Sequence, residues 1–241
     1  MMFDSAEQAG ARMAALAASM SGLTRVELSH RLVEGMAAFA GHPTYRHVQR
    51  GSLDWGDPTS HFELAMGEHT GTHLDAPLHI VDGGHDVTTF AYVLTRAAVL
   101  RPLEREGNVG IEDLRRFECA AGPVEAGDSV LVDHGWAARW GDSGFMRRWP
   151  SVDVDLASEL VERGVVLIAA DTPSPDAAGC DRTFPVHEVV LGSGVFIGEN
   201  FANLPQLGDW CLLNLIPLPI SGGTGSPVRA IASTGPAAEN I

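Results

Sequence analysis

Eleven consecutive residues, His69-Thr70-Gly71-Thr72-His73-Leu74-Asp75-Ala76-Pro77-Leu78-His79, place three histidines, a glycine, an aspartate and a proline at every second position. In an extended chain alternate side chains share a face, so the three imidazoles and the carboxylate project to the same side. A solvated face explains a few such residues and a hydrogen-bonded core histidine explains one. The complete row is the pattern of a metal site. A straight strand would hold His69 and His73 about 13 Å apart at roughly 3.3 Å per residue, too far for one ion. Gly71 supplies the bend that brings its neighbours together. A helix would also set His69 and His73 on one face, but Thr70, Gly71 and Thr72 are poor helix formers, and the zinc-protease glutamate is absent between the histidines. The reading is a bent strand or loop on which His69, His73 and Asp75 converge. Pro77 then ends regular pairing and sets His79 at a different depth.

A second feature belongs with the row. His187 and Glu199 flank Gly192, Gly194 and Gly198, and Glu199 directly follows the apolar run Val195 to Gly198. A carboxylate carried inward by such a run needs a partner or loses its charge. Beside four residues already read as a metal site, both become candidate ligands. Other motifs carry less. Gly141-Asp142-Ser143-Gly144 echoes a serine-protease nucleophile segment but lacks its continuation, and Gly222-Gly223-Thr224-Gly225 lacks the lysine of a phosphate loop, so both read as turns. His30, His47, His61, His85 and His134 say little individually. His42, beside Phe39 and Pro43, stands on a loop able to line a pocket.

With 241 residues and 45% apolar content the chain can bury a proper core, best read as one domain over residues 23–241 after a helical leader, 1–22. Met2 to Met20 mixes charges with alanines and ends at Gly22, so it reads as an exposed or docking helix and not as a secretory signal. No stretch reaches the roughly 18 apolar residues of a membrane span. The formal net charge of -15 disfavours nucleic acid as a partner but would not repel a divalent cation. Cys119, Cys180 and Cys211, three and widely spaced, argue against a disulfide framework and for a reducing cytoplasm.

Strands are expected at Thr24 to Leu28, His61 to Met66, Ala97 to Leu103, Ser129 to Val132, Leu212 to Ile220 and Val228 to Ala232. The continuous apolar run Val165 to Ala170 reads as a strand buried on both faces. Helical spacing covers Gly110 to Phe117 and Asp153 to Arg163, while Gly51 to Ser60 reads as a polar loop. The order indicates an α/β domain with more strand than helix.

The row resembles the signature of the cyclase family of metal-dependent hydrolases, a family that includes bacterial kynurenine formamidases and isatin hydrolases. The resemblance runs from about Val26 to Ile231. It takes in Glu27-Leu28-Ser29-His30, the row itself, Asp171-Thr172-Pro173-Ser174-Pro175-Asp176, the His187 to Glu199 spacing and the segment Pro219 to Arg229. It implies an α/β fold around a β-barrel-like core flanked by helices, usually assembled as a homodimer. It implies that His69, His73 and Asp75 bind a first metal, that His187 and Glu199 bind a second bridged by Asp75, and that His79 is catalytic. Where the family's formamidases carry Trp-Pro-Gly-Asp, this chain has Phe39-Ala40-Gly41-His42. Phe39 and the His42-Pro43 turn are therefore expected in the substrate pocket, with an altered aromatic wall.

The chemistry that follows is hydrolysis of an amide, formamide or lactam in a small aromatic substrate, assisted by one or two ions of zinc or manganese. An imidazole such as His79 titrates near pH 6.5 and is suited to take a proton from water and return it to the leaving amine. An ester or lactone substrate, or a non-catalytic metal-binding scaffold, are the alternatives.

Overall fold

The structure, a computed structural model, describes residues 6–179 and 183–235. Cys180 lies outside them, and the described Cys119 and Cys211 are free thiols. The elements in chain order are α1 (Ala6–Ser21), β1 (Thr24–Glu27), β2 (Arg46–Gly51), β3 (His61–Ala65), β4 (His73–Asp75), β5 (Leu94–Leu100), α2 (Ile111–Ala121), β6 (Ser129–Val132), α3 (Val154–Glu162), β7 (Leu167–Ala170), α4 (Pro185–Gly192), β8 (Phe196–Glu199), β9 (Trp210–Pro217) and β10 (Gly225–Thr234).

Period-two alternation of apolar side chains builds the central sheet. On β5, β6 and β7, Ala97, Val99, Leu131, Leu167 and Ala169 pack into one core. Their neighbours Ala98, Leu100, Val130, Val132, Ile168 and Ala170 pack into a second one, with Leu114 and Phe117 of α2, Leu156 and Leu160 of α3 and Val186 and Val190 of α4. The second core is thus the layer between sheet and helices, and the first fills the other face. The sheet runs β10-β4-β8-β7-β6-β5-β9, and β9 pairs back onto β10, closing seven strands into a barrel. Pairing is parallel along β5-β6-β7-β8 and antiparallel elsewhere. Strand β10 is the longest: Gly225–Pro227 pairs with β4, Val228–Ser233 with β9, and its end also carries β1 in the register Thr24↔Thr234.

The barrel core and its flanking helices agree with the expected α/β class. Boundaries differ locally for physical reasons. Strand β5 starts at Leu94 and stops before Pro102 and Leu103, because proline cannot donate to the ladder. The Gly51–Ser60 segment holds a 3-10 turn, Leu53–Trp55, started by Ser52 Oγ accepting the Asp54 amide. Flanking it, β2 and β3 form a separate two-stranded ribbon. All of β3 is exposed, and Leu53, Trp55, Phe62 and Leu64 are bare apolar side chains. Helix α1 is exposed over residues 8–19. No helix among the described residues is long and apolar enough to cross a membrane.

Candidate metal centre

The row bends where glycine allows it. Gly71 has φ +64°, and a Cβ there would come within 2.9 Å of the Met36 side chain. Beyond the bend, β4 presents His73 and Asp75. Its neighbour β8 brings Glu199 opposite His73 in the register His73↔Glu199. Pro77 opens a 3-10 turn, Pro77–His79, that lifts His79 out of the strand. The last imidazole comes from α4, whose start is marked by Pro185 and whose N-terminal amides at Val186 and His187 are accepted by the Asp176 carboxylate.

These elements focus side chains on one point. Asp75 Oδ1 lies 2.6 Å from His69 Nδ1 and 3.3 Å from His73 Nε2, and its Oδ2 lies 3.5 Å from His187 Nε2. Glu199 spans the same pair, with Oε2 3.3 Å from His73 Nε2 and Oε1 3.5 Å from His187 Nε2. Two sets of donor atoms fall within 4.8 Å of one another: His69, His73 and Asp75, and Asp75, His79 and His187. His79 therefore stands closer to the donor cluster than the proline break implies, its ring 4.2 Å from that of His69 and 6.0 Å from that of His187.

The nitrogens on the far side of three rings are engaged by acceptors. His73 Nδ1 is 2.8 Å from Gly71 O, His187 Nδ1 2.6 Å from Asp176 Oδ2, and His69 Nε2 2.9 Å from Thr224 Oγ1. With protons on those outer nitrogens, His69 Nδ1, His73 Nε2 and His187 Nε2 are the ones that face the carboxylates, where a cation would take the place of their protons. Outer-shell acceptors of this kind are what orient metal-binding imidazoles. Three nitrogens with two buried carboxylates are a donor set that fits a divalent cation.

Electrostatics point the same way. Burial alone would lower the His73 pKa, but the Asp75 charge and hydrogen bonds to Asp75 and Glu199 outweigh it and raise it to about 10. His187 is likewise raised well above its usual value against the effect of burial, by Asp176, Asp75 and Glu199. Burial would raise Asp75, yet the His73 charge and hydrogen bonds from all three imidazoles hold it well below the usual carboxylate range. A field that holds protons on His73 and His187 also attracts a divalent cation, which displaces such protons on binding. His79 behaves oppositely. Burial lowers its pKa, and the charges of His69 and His187 add to that against Asp75 and Glu199, so its ring is neutral at pH 7.

Above the centre opens a cavity of about 310 Å³. Phe39 and His42 line it, as do Ile80, Met146, Phe184 and Asn200. Phe39 is 36% exposed; its ring centroid lies 5.6 Å from that of His42 and 6.4 Å from that of Trp149. Phe184 lies edge-on to His187 at 5.7 Å. Phe184, Met146, Asp176, Thr224 and Glu68 were not singled out by sequence reasoning. For Phe184 the one signal was its place just before Pro185; for Asp176, its place in the Asp171–Asp176 segment. His30 and His134 stay apart from the centre. The His30 ring stacks on Trp140 at 3.9 Å, and His134 is fully buried.

A seven-stranded barrel whose cavity holds a histidine–carboxylate centre defines a metal-site α/β architecture. The chain belongs to the putative cyclase family, whose model matches residues 26–177. Among its relatives is the kynurenine formamidase of Bacillus thuringiensis subsp. konkukian (strain 97-27), 30% identical over 215 residues, covering 86% of this chain and 95% of the relative. In fold it is similar to isatin hydrolase A from Labrenzia aggregata bound to benzyl benzoate, with TM-score 0.83, 24% identity, and coverage of 95% of this chain and 100% of that one. Isatin hydrolase A from Ralstonia solanacearum is similar at TM-score 0.81 and 24% identity, covering 97% and 99%.

Proposed function

We propose that the chain is a metal-dependent hydrolase that cleaves a carbon–nitrogen bond in a small aromatic amide, formamide or lactam. Family membership and the named activities of its relatives support the reaction class. The observation that carries the reading for this chain is the focusing of three imidazole nitrogens and two carboxylates at the base of an aromatic-lined cavity.

His69, His73 and Asp75 would hold one ion of zinc or manganese, and His187 and Glu199 a second that Asp75 shares. A divalent ion in such a site would polarise a carbonyl and lower the pKa of water to about 7. The protein's own groups do the rest. Phe39 and Phe184 offer flat apolar surfaces to an aryl ring. His79, neutral at pH 7, takes a proton from the attacking water; as the water oxygen bonds to the carbonyl carbon and the carbon–nitrogen bond breaks, it returns that proton to the departing nitrogen. Asp176, Gly71 and Thr224 keep the imidazoles in register.

The bare apolar side chains of the β2–β3 ribbon, with the exposed helix α1, support a homodimer. The free thiols support a cytoplasmic setting.

The test is chelator dialysis followed by assay on formanilide and isatin, with zinc and manganese added back. The expected result is activity lost with the metal and restored by it, and a His73→Ala variant that no longer binds stoichiometric metal. Activity in metal-free protein would sink the metal-dependent reading, and thermal stabilisation by metal without turnover would leave only a scaffold.

A further inference from the structure

We propose that Glu68 is a positioning residue for the metal centre, holding His69 through the Thr224 hydroxyl in the tautomer that presents Nδ1 to the ion. This rests on reading His69 as a ligand. Glu68 Oε2 accepts two hydrogen bonds from Thr224, from the backbone amide at 2.8 Å and from the hydroxyl at 2.6 Å. A hydroxyl has a single proton, and here Glu68 takes it. Thr224 Oγ1 is left as an acceptor, so its 2.9 Å contact with His69 Nε2 is a bond donated by Nε2–H. Nδ1 is then the nitrogen left for the ion: it lies 2.6 Å from Asp75 Oδ1, in a hydrogen bond whose proton a cation would displace. His69 therefore faces the centre through Nδ1, whereas His73 and His187 face it through Nε2.

The surroundings make this arrangement hard to replace. Gly225 lies against the ring: a Cβ there would come 2.7 Å from His69 Cε1 and 2.6 Å from Leu74 O, so the imidazole packs on bare backbone. The turn carrying Thr224 is tied to the row from the other side by the Ala76 amide donating to Thr224 O. Without the Glu68 carboxylate, the Thr224 hydroxyl is free to donate to Nε2. That would make Nε2 the acceptor and hold the ring's one remaining proton on Nδ1, between His69 and Asp75. The position intended for the cation would be occupied by a proton.

The experiment measures zinc affinity by chelator competition in full-length protein, together with the ¹⁵N and ¹H signals of His69 in the zinc-loaded state. Wild type is expected to show the proton on His69 Nε2. Glu68→Ala and Thr224→Val should each lose roughly 10- to 100-fold in zinc affinity, the usual cost of removing an outer-shell partner. Thr224→Ser, which keeps the hydroxyl, should restore wild-type affinity. Glu68→Gln retains an acceptor oxygen, so it should keep the Nε2–H signal and bind zinc more tightly than Glu68→Ala; it also serves as the informative variant if Glu68→Ala fails to fold. A proton on Nδ1 in the wild-type zinc complex, or unchanged affinity in Glu68→Ala, would overturn the proposal. Full zinc affinity in His69→Ala would instead show that the ligand reading had failed.

Discussion

Asp176 grips His187 twice: its Oδ2 lies 2.6 Å from the ring Nδ1, and its carboxylate accepts the amides of Val186 and His187 at 2.8 and 3.2 Å. One side chain thus fixes both where α4 begins and which imidazole nitrogen faces the carboxylate pair. An Asp176→Asn variant replaces one of these oxygens by a donor. It should lose roughly 10- to 100-fold in metal affinity and about 1 kcal/mol of stability through the weakened helix start. Chelator competition and thermal unfolding of the metal-free protein measure the two effects separately.

His79 distinguishes catalyst from ligand. Its neutral ring stands beside the donor cluster, so His79→Ala should lower kcat by roughly 10²–10⁴-fold while metal content stays stoichiometric. Joint loss of metal and activity would make it a ligand, in line with its closeness to Asp75 and His187. Normal kcat in a metal-loaded variant would remove it from the mechanism.

Phe39 is partly exposed on the cavity wall, so its ring contributes more to a bound aromatic than to the core. Phe39→Leu should raise KM for an aryl substrate by roughly 2- to 10-fold, corresponding to about 0.5–1.5 kcal/mol of aromatic contact. The melting temperature should hardly change. Unchanged kinetics with lowered stability would assign the ring to packing.

His134 gives the fold an acid sensitivity away from the centre. Burial pushes its pKa down to about 4, although Gly107 O engages Nδ1. In the unfolded chain it titrates near 6.5. Between those values the unfolded state binds a proton that the folded state refuses, so stability present above pH 6.5 is lost as pH falls toward 4. The loss approaches about 1.4 kcal/mol per pH unit for one proton. His134→Asn, which keeps a donor for Gly107 O, should fold less stably at pH 7.5 but with a shallower decline to pH 5. Urea midpoints at the two pH values check this, and an unchanged slope would refute it.

Local periodicity made the strands of the α/β domain and the row of the centre readable, whereas the barrel-like core was legible only through the family resemblance. Val165 to Ala170 announces a strand covered on both faces, and the row announces its bend at Gly71. What stayed hidden is non-local. Strand β2 has one apolar side chain, Val48, among Arg46, His47, Gln49 and Arg50, since its ribbon leaves both faces to solvent and imposes no alternation. Helix α4 is too short to display a helical period, though Pro185 marks its start. Glu68 and Thr224 are 156 residues apart, and nothing in either segment signals that the barrel will bring them together.

The pairing of β10 with β1, β4 and β9 also constrains when the molecule can come into being. Until residues 225–234 have left the ribosome, β1 lacks its partner, β4 and β9 each keep one unpaired edge, the barrel is open along a full seam, and Thr224 is not yet behind His69. Closure therefore waits for residues 225–234, and until then the nascent protein carries unpaired strand edges, the period in which chaperone protection counts most.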